Sequence, residues 1–306
     1  MSIKKISIGV DRSDLAENAL AWTLNLAADT NASVEVIATW RMPLICQLPG
    51  PIKGLPTPHY MAQETAKTLD SIVNEITNRI GSAVAVEQTT AEGKPGPTLV
   101  ALANESDLLV VGRTGYGKRH GLSRIAEVVL GSTARHCIHE SPIPIATIPA
   151  GAKWAPSPHV VLGVDGSTGS LAALDWALSE LPRTSTVHVV RAFEPWVGDG
   201  LVPQDLIGHD ELQRHIEAET QTWVDQSFQR PATNLDNAPT VAAVIATPQH
   251  ALTNAERTPD LIILGERGRT AAAAMVVGSV SDYMVRYSQC PVVIVPDRKA
   301  RTVQNQ

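Results

Sequence analysis

The sequence predicts an α/β fold of two tandem doubly wound domains, each with a mainly parallel five-stranded sheet and helices on both faces. Three observations support this prediction. Short runs rich in Val and Ile, such as "KISIGV" and "DLLVV", fit strands that are buried on both faces of a parallel sheet. These runs alternate with segments of helical periodicity, which is typical of doubly wound sheets. The whole pattern then occurs a second time.

The second half of the chain repeats the first half. Residues 5–27, "KISIGVDRSDLAENALAWTLNLA", match residues 159–181, "HVVLGVDGSTGSLAALDWALSEL", so that Asp11 corresponds to Asp165. The segment between the repeats is short, contains Pro and is poor in apolar residues, as expected of a linker. We therefore predict domains over 1–150 and 159–306, joined by a linker over 151–158.

Each element of a repeat has its own signal, in chain order. The first strand is an apolar run that ends in an aspartate, and the helix after it carries Ala16, Leu20 and Thr23–Leu24 on one face. The second strand is "SVEVIATW" in repeat one and "TVHVVRAF" in repeat two. The Pro-containing stretches 41–61 and 194–209 break both periods and predict surface loops near the carboxyl end of the sheet. Three helix–strand pairs complete the repeat.

The last strand of each repeat, "PIATIP" or "PVVIVP", is short and apolar. An uncovered apolar strand edge invites pairing with another strand. We expect these two strands to pair within one chain and to form an intramolecular pseudo-dimer; a homodimer is left open.

Composition and charge exclude several functional classes. A formal net charge of -6 offers no broad attraction for nucleic acid or for an anionic membrane. No apolar run approaches the length of about 18 residues that a membrane span needs, and the first residues lack the apolar core of a signal peptide. The three cysteines, Cys46, Cys137 and Cys290, have no metal-ligand spacing. The cytoplasm is therefore the expected compartment.

A glycine-containing loop follows the fourth strand of each repeat. In repeat two it reads "GERGRTAAAAMVVGS" over 265–279. Glycines let backbone amides approach an anion, and the start of the next helix favours phosphate; Arg267 and Arg269 could neutralise its charge. Such a turn can also serve backbone geometry alone. The aspartate at the first strand end, which reaches the same edge of the sheet, favours nucleotide binding.

The segments "GVDGS" and "GERGRTAAAAMVVGS" resemble the universal stress protein domain, specifically its ATP-binding branch, whose signature is Gly-x2-Gly-x9-Gly-Ser/Thr. The resemblance covers nearly the whole chain, as a tandem pair of such domains. The resemblance implies a Rossmann-like, adenine nucleotide alpha hydrolase-like fold and ATP, alone or with Mg, as the ligand. It implies adenine and ribose contacts at Asp165 and Ala192, and phosphate contacts at Gly265, Gly268, Gly278, Ser279 and Val280. The matching positions of repeat one are Asp11, Thr39, Gly112, Gly115, Gly131, Ser132 and Thr133.

Repeat one departs from this signature. Its loop, "GRTGYGKRHGLSRIAEVVLGST" over 112–133, holds six more residues between the second glycine and the Gly-Ser pair. The inserted Lys118, Arg119 and His120 are interpreted either as phosphate contacts or as a solvated loop tip. We therefore expect repeat two to bind nucleotide more tightly than repeat one.

The resemblance implies an ATP-binding regulator of the stress response, without catalysis or with weak ATPase activity at most, in which nucleotide shifts the conformations available to a protein partner of unknown identity. Two alternatives stay open: an ATP-hydrolysing or nucleotidyl-transfer enzyme of the same architecture, and a nucleotide-free interaction module. Neither a P-loop nor a Gly-x-Ser-x-Gly elbow is present, so no catalytic residue is assigned. The histidines of "HCIH" at 136–139 lack further ligands at metal-site spacing, so no metal site is expected.

Overall fold

The chain divides into two compact units, of which one spans Lys4–Lys153 and the other contains Trp154–Gln306. The computed structural model describes residues 3–47, 55–114, 130–194, 196–197, 200–201, 209–230, 233–254, 257–267 and 277–297. The first unit contains repeat one and the second contains repeat two. Each is an α/β unit, which confirms the predicted fold class.

The first unit alternates strands and helices in the predicted order. Its elements are β1 (Lys5–Gly9), α1 (Asp14–Thr30), β2 (Ser33–Trp40), α2 (Pro58–Ile80), β3 (Val86–Glu92), α3 (Pro95–Leu102), β4 (Leu108–Gly112), α4 (Ser132–Glu140) and β5 (Ile145–Ile148). The strands pair in parallel in the order β3-β2-β1-β4-β5. The direction of winding changes between β1 and β4, where the strand ends open a crevice.

The second unit has the same strand topology. Its elements are β6 (His159–Gly163), α5 (Thr168–Glu180), β7 (Thr186–Phe193), β8 (Trp196–Val197), β9 (Gly200–Leu201), α6 (His209–Phe228), β10 (Thr240–Ile245), α7 (Pro248–Thr253), β11 (Leu261–Gly265), α8 (Ser279–Tyr287) and β12 (Val292–Val295). The parallel order is β10-β7-β6-β11-β12. The pairing of the last strands of the two repeats stays a prediction.

Both faces of the first sheet are covered. Helices α1 and α2 pack against each other on one face, and α3 and α4 pack against each other on the opposite face. The strand residues between them, such as Ile6, Ile8 and Val110, are fully buried. The predicted apolar face of α1 is buried as well, with Ala16, Leu20, Thr23 and Leu24 in the core. This packing holds the strand ends in fixed positions. No helix among the described residues is long and apolar enough to cross a membrane.

The sequence predicted a surface loop over the whole stretch 41–61. This prediction is wrong at its end, because α2 begins there at Pro58. Pro58 occupies the first helical position, where its missing N–H costs nothing. The Thr57 hydroxyl caps the helix by accepting a hydrogen bond from the Tyr60 amide at 3.1 Å. In the stretch 194–209, β8 and β9 form a short antiparallel pair, and α6 begins at His209. In the first of these stretches, Pro58 therefore starts a helix rather than excluding one.

A buried polar cluster crosses the first sheet at Glu35 of β2. Its carboxylate accepts hydrogen bonds from the hydroxyls of Ser7 at 3.3 Å and Thr89 at 2.9 Å, and forms an ion pair with Lys5 at 2.7 Å. Burial alone would raise the pKa of Glu35, but these bonds, led by the one from Lys5, hold that pKa below its ordinary value of 4.5. The cluster therefore favours the ionised carboxylate in the folded chain.

We expect Glu35→Gln to lower the stability of the full chain by about 1–2 kcal/mol at pH 7, because the ion pair with Lys5 is lost and only one of the two oxygens remains as an acceptor for the hydroxyls of Ser7 and Thr89. Since the folded-state pKa lies below the unfolded value, this contribution is complete above about pH 4.5 and disappears as pH falls further. Urea unfolding at pH 7 and near pH 3.5 measures both effects. The exposed Glu87, which is paired in register with Glu35, provides the control Glu87→Gln; equal effects of the two variants would contradict the prediction.

Candidate functional site

A cavity of about 500 Å³ opens at the carboxyl ends of β1, β2 and β4 in the first unit, which we call the strand-end cavity. Four segments line it: Gly9–Ser13 after β1, Ile37–Thr39 at the end of β2, Val111–Gly112 at the end of β4, and Gly131–Ala134 at the start of α4. Helix α2 contributes Leu69 and Ile72. The volume lies within the range of small-molecule sites, and the location is the one where doubly wound sheets bind ligands.

The start of α4 presents backbone amides to this cavity. Gly131 is the N-cap residue and no side chain caps the helix. The first intrahelical bond is donated by the Arg135 amide to the Gly131 carbonyl at 2.9 Å, so the amides of Ser132, Thr133 and Ala134 precede it. These amides and the helix dipole favour an anion. The hydroxyls of Ser132 and Thr133 add two further polar groups.

A turn after β1 fixes the aspartate of repeat one. The Asp11 carboxylate accepts a hydrogen bond from the Ser13 amide at 3.0 Å and another from the Ser13 hydroxyl. The same hydroxyl oxygen caps α1 by accepting a bond from the Ala16 amide at 3.2 Å. Repeat two builds the same turn, with Asp165 accepting from the Ser167 amide at 3.0 Å. The two aspartates thus have a structural role in starting the helix as well as a position at the strand end.

The structure brings most predicted residues of repeat one together. The residues Asp11, Thr39, Gly112, Gly131, Ser132 and Thr133 all line the strand-end cavity. Gly115 lies outside the described residues, as do Lys118, Arg119 and His120 of the inserted segment. The longer loop therefore leaves the Gly-Ser pair at the same edge of the sheet as Asp11.

In repeat two the predicted residues lie at the equivalent ends of the elements. Asp165 follows β6, Ala192 lies in β7, Gly265 ends β11, Gly278 is the N-cap of α8, and Ser279 and Val280 begin that helix. Gly268 and Arg269 lie outside the described residues. The Gly278 amide donates to the Glu266 carbonyl at 2.8 Å, just as the Gly131 amide donates to the Arg113 carbonyl at 2.9 Å. Both repeats therefore form the same uncapped amide turn despite their different loop lengths.

The two repeats differ in how closely the first helix approaches this turn. A Cβ added at Gly265 would lie 2.5 Å from the Gly169 carbonyl carbon in α5, whereas one added at Gly112 would lie 3.6 Å from the Leu15 carbonyl oxygen in α1. Gly169 itself has no room for a side chain, because its Cβ would lie 2.8 Å from the Arg267 carbonyl oxygen. Main chain therefore packs on main chain in repeat two. The sequence signal for this difference is the change from Leu15 to Gly169 at equivalent positions of the two repeats.

The repeats also differ in charge next to the turn. Arg113 of repeat one is replaced by Glu266, which is 1% exposed, and Ala150 is replaced by Asp297. The Asp297 amide donates to the Glu266 carboxylate at 3.4 Å, and the Thr168 hydroxyl donates to the Asp297 carboxylate. Carboxylates disfavour a bound anion. In this respect repeat one is the better environment for a phosphate, although the glycine spacing favours repeat two.

The other sequence candidates have ordinary packing roles. His136 packs against Gly96 at the α3–α4 contact, where an added Cβ would lie 2.7 Å from its side chain. Burial raises the pKa of the neighbouring Cys137 to about 12, so its thiol is not ionised near neutral pH. Within the described part of the chain, no group of three His, Cys, Asp or Glu residues could hold a metal ion.

Comparison with known proteins gives consistent results across both repeats. A family model described as "Universal stress protein family" matches residues 2–149 and, separately, 157–296. Universal stress protein Rv1996 of Mycobacterium tuberculosis is 25% identical over 313 residues, which cover 94% of each chain. Universal stress protein Rv2005c of the same organism is 22% identical over 309 residues, covering 94% of this chain and 96% of the relative.

Solved structures show the same architecture. A universal stress protein from Archaeoglobus fulgidus matches with a TM-score of 0.61 at 15% identity, covering 96% of this chain and 98% of its own. The protein PA1789 from Pseudomonas aeruginosa, described as functionally unknown, matches with a TM-score of 0.59 at 14% identity, covering 98% and 95%. At these identities the likeness concerns the fold.

Proposed function

This chain belongs to the universal stress protein family, and on that premise we propose that it is an ATP-binding regulatory protein of the stress response. The observation that carries the proposal is the meeting of the uncapped α4 amides with Asp11 and Thr39 around one cavity of about 500 Å³. These groups have the chemistry that a nucleotide requires: amide donors for phosphate, polar oxygens for ribose, and apolar side chains beside them for a base.

The orientation of the nucleotide follows from where these groups lie. The triphosphate would sit at the start of α4, where the amides and dipole neutralise part of its charge. The ribose and base would then point towards the ends of β1 and β2, with Asp11 accepting from a ribose hydroxyl and Ile37, Leu69 and Leu99 beside the base. A Mg ion would be held mainly by phosphate oxygens and water, as is usual for that ion.

We propose the same binding mode for repeat two, through the turn at Gly278–Val280 and the ends of β6 and β7. Its glycine spacing favours tighter binding there, whereas the carboxylates of Glu266 and Asp297 oppose an anion. The comparison of Gly131→Asp with Gly278→Asp, argued below, decides between these effects.

Regulation is preferred to catalysis because the Ser13 hydroxyl, which donates to the Asp11 carboxylate in the cavity lining, is also the N-cap of α1 and accepts from the Ala16 amide, so it has a structural role. The cavity does include α2, so a bound nucleotide contacts both the strand ends and a surface helix and can favour one arrangement of that helix. A protein partner that contacts α2 would then sense the nucleotide. Rapid multiple-turnover release of phosphate from ATP would instead support the enzymatic alternative.

We expect ATP with Mg to raise the melting temperature of nucleotide-stripped protein. Ligand at about one hundred times its dissociation constant adds about 2.7 kcal/mol of stability if it binds only the folded state, which corresponds to about 5–10 °C for a unit of this size. Differential scanning calorimetry measures the shift, and mass spectrometry of small molecules released by denaturing the purified protein identifies the natural ligand. An unchanged melting curve together with no heat of binding would favour the nucleotide-free interaction module.

A further inference from the structure

Arg12 places a positive charge at the edge of the strand-end cavity. It directly follows Asp11, is exposed, and lines the cavity. Its Nη2 donates to the hydroxyl of Thr68 on α2 at 2.9 Å. Among the described residues, no carboxylate forms an ion pair with this guanidinium. A neutral hydroxyl therefore holds the side chain in place and leaves its charge available for a ligand.

The cavity continues past Arg12 into a groove between α1 and α2. This α1–α2 groove, of about 350 Å³, is lined by Arg12, Glu17, Lys67, Thr68, Ser71 and Ile72. Three of these residues, Arg12, Thr68 and Ile72, also line the strand-end cavity. The groove has two other charged lining residues, and both form ion pairs. Lys67 pairs with Glu64 at 2.9 Å, and Glu17 pairs with Arg79 at 4.0 Å. Arg12 is thus the cation that joins the two spaces.

Arg12 and the α4 amides line the same cavity but lie beside different helix pairs. Helix α4 packs with α3 on one face of the sheet, whereas Arg12 bridges the start of α1 to α2 on the other face. A single 5′-phosphate chain bound at α4 would therefore leave Arg12 to contact the nucleoside end of the ligand. Asp11, the neighbour of Arg12, is the residue assigned to the ribose.

Repeat two shows that the turn itself does not need an arginine. The equivalent residue is Gly166, with a φ of +80°, and the same Asp-x-Ser turn forms there. A Cβ at Gly166 would lie 2.6 Å from the ring of Trp223 on α6. The nearby Arg191 lies over that ring, 4.6 Å from its centroid, and is paired with Glu219 at 2.7 Å. Repeat two therefore has an aromatic ring beside its turn, where repeat one has a cation.

We propose that Arg12 makes repeat one selective for an adenine nucleotide that carries a second phosphate on its ribose, at the 2′ or 3′ oxygen, in addition to its 5′ phosphates. This proposal rests on the proposed function of the cavity. A guanidinium offers paired donors that match a phosphate, and an arginine near the ribose site of doubly wound folds accommodates a 2′-phosphate in the same way. The α1–α2 groove gives the added group room beside Arg12.

Isothermal titration calorimetry on the full chain tests this by comparing adenosine 5′-monophosphate with adenosine 2′,5′-bisphosphate and adenosine 3′,5′-bisphosphate at low ionic strength, where exposed charges are least screened. We expect one bisphosphate to bind about tenfold more tightly than the monophosphate, as a charge-assisted contact would give. The gain should disappear in Arg12→Gln, which can still bond to Thr68, and should be smaller but present in Arg12→Lys, which keeps the charge without the paired donors. The control Lys67→Gln removes a paired cation from the same groove and should keep the gain.

Each other result has a definite meaning. Equal affinities for the monophosphate and both bisphosphates would overturn the role of Arg12 while leaving nucleotide binding intact. A gain that survives in Arg12→Gln would show that another group contacts the added phosphate, and would overturn it too. No binding of ATP or of any of these nucleotides would overturn the proposed function itself.

Discussion

Gly131→Asp is expected to weaken ATP binding to repeat one by about 100-fold, because two like charges a few ångströms apart repel by several kcal/mol in a partly buried site. Gly131 has a φ of -61° and a ψ of 148°, which an aspartate adopts without strain. Aspartate is also a favourable N-cap residue, so its carboxylate would accept bonds from the α4 amides and occupy the place of a phosphate. Isothermal titration calorimetry with ATP measures the loss, and circular dichroism checks the fold.

Gly131→Asn is the matched control for this variant. Asparagine has the same size and the same capping ability but no charge. It should weaken binding less than aspartate does, by about tenfold, since it competes for the amides without repelling phosphate. Similar losses from both variants would show that occupation of the turn, rather than charge, excludes the nucleotide.

Gly278→Asp makes the same change in repeat two, where the N-cap φ of -67° and ψ of 153° are nearly identical. The glycine spacing predicts that this variant removes most of the high-affinity binding and that Gly131→Asp removes less. The carboxylates of Glu266 and Asp297 act in the opposite direction. A larger loss from Gly131→Asp would therefore show that local charge outweighs loop length, and that the tighter site is in repeat one.

The duplication in the sequence made the fold predictable. A single apolar run cannot distinguish a buried strand from a buried helix. When the same runs recur at the same offsets and end in the same Asp and Gly residues, the two repeats support each other's assignment. The candidate site residues came from the resemblance to universal stress proteins, and their place at one edge of the sheet followed from the parallel strands, which bring their carboxyl ends together.

Contacts between elements that are distant in sequence could not be predicted in this way. The stabilisation of Glu35 depends on Thr89, which is 54 residues away and joins it through the strand register. The groove beside Arg12 depends on where α2 packs against α1, a contact between helices that are far apart in sequence. The start of α2 at Pro58 was missed because proline breaks helical periodicity although it is favourable at a helix start.

Gly265→Ala is expected to destabilise the unit that contains repeat two by about 3 kcal/mol, the upper end of the usual cost of overpacking. The added methyl group would lie 2.5 Å from the carbonyl carbon of Gly169, 2.6 Å from its oxygen and 2.8 Å from the Ser170 amide nitrogen. All three are main-chain atoms in the first turn of α5, which cannot rotate away as a side chain can. Either the helix or β11 must move.

The equivalent substitution in repeat one, Gly112→Ala, isolates this effect because the two glycines end the corresponding strands β4 and β11. Its methyl group would lie 3.6–3.7 Å from its nearest neighbours, an ordinary contact distance, so its cost should stay below about 1 kcal/mol. Differential scanning calorimetry of the full chain should show a transition lowered by about 6–12 °C for Gly265→Ala and little change for Gly112→Ala. If the two variants melted alike, the closer approach of α5 to the glycine turn would not exist in solution. The two repeats would then differ at this turn in charge and loop length alone, and of these two properties only the loop length favours tighter binding by repeat two.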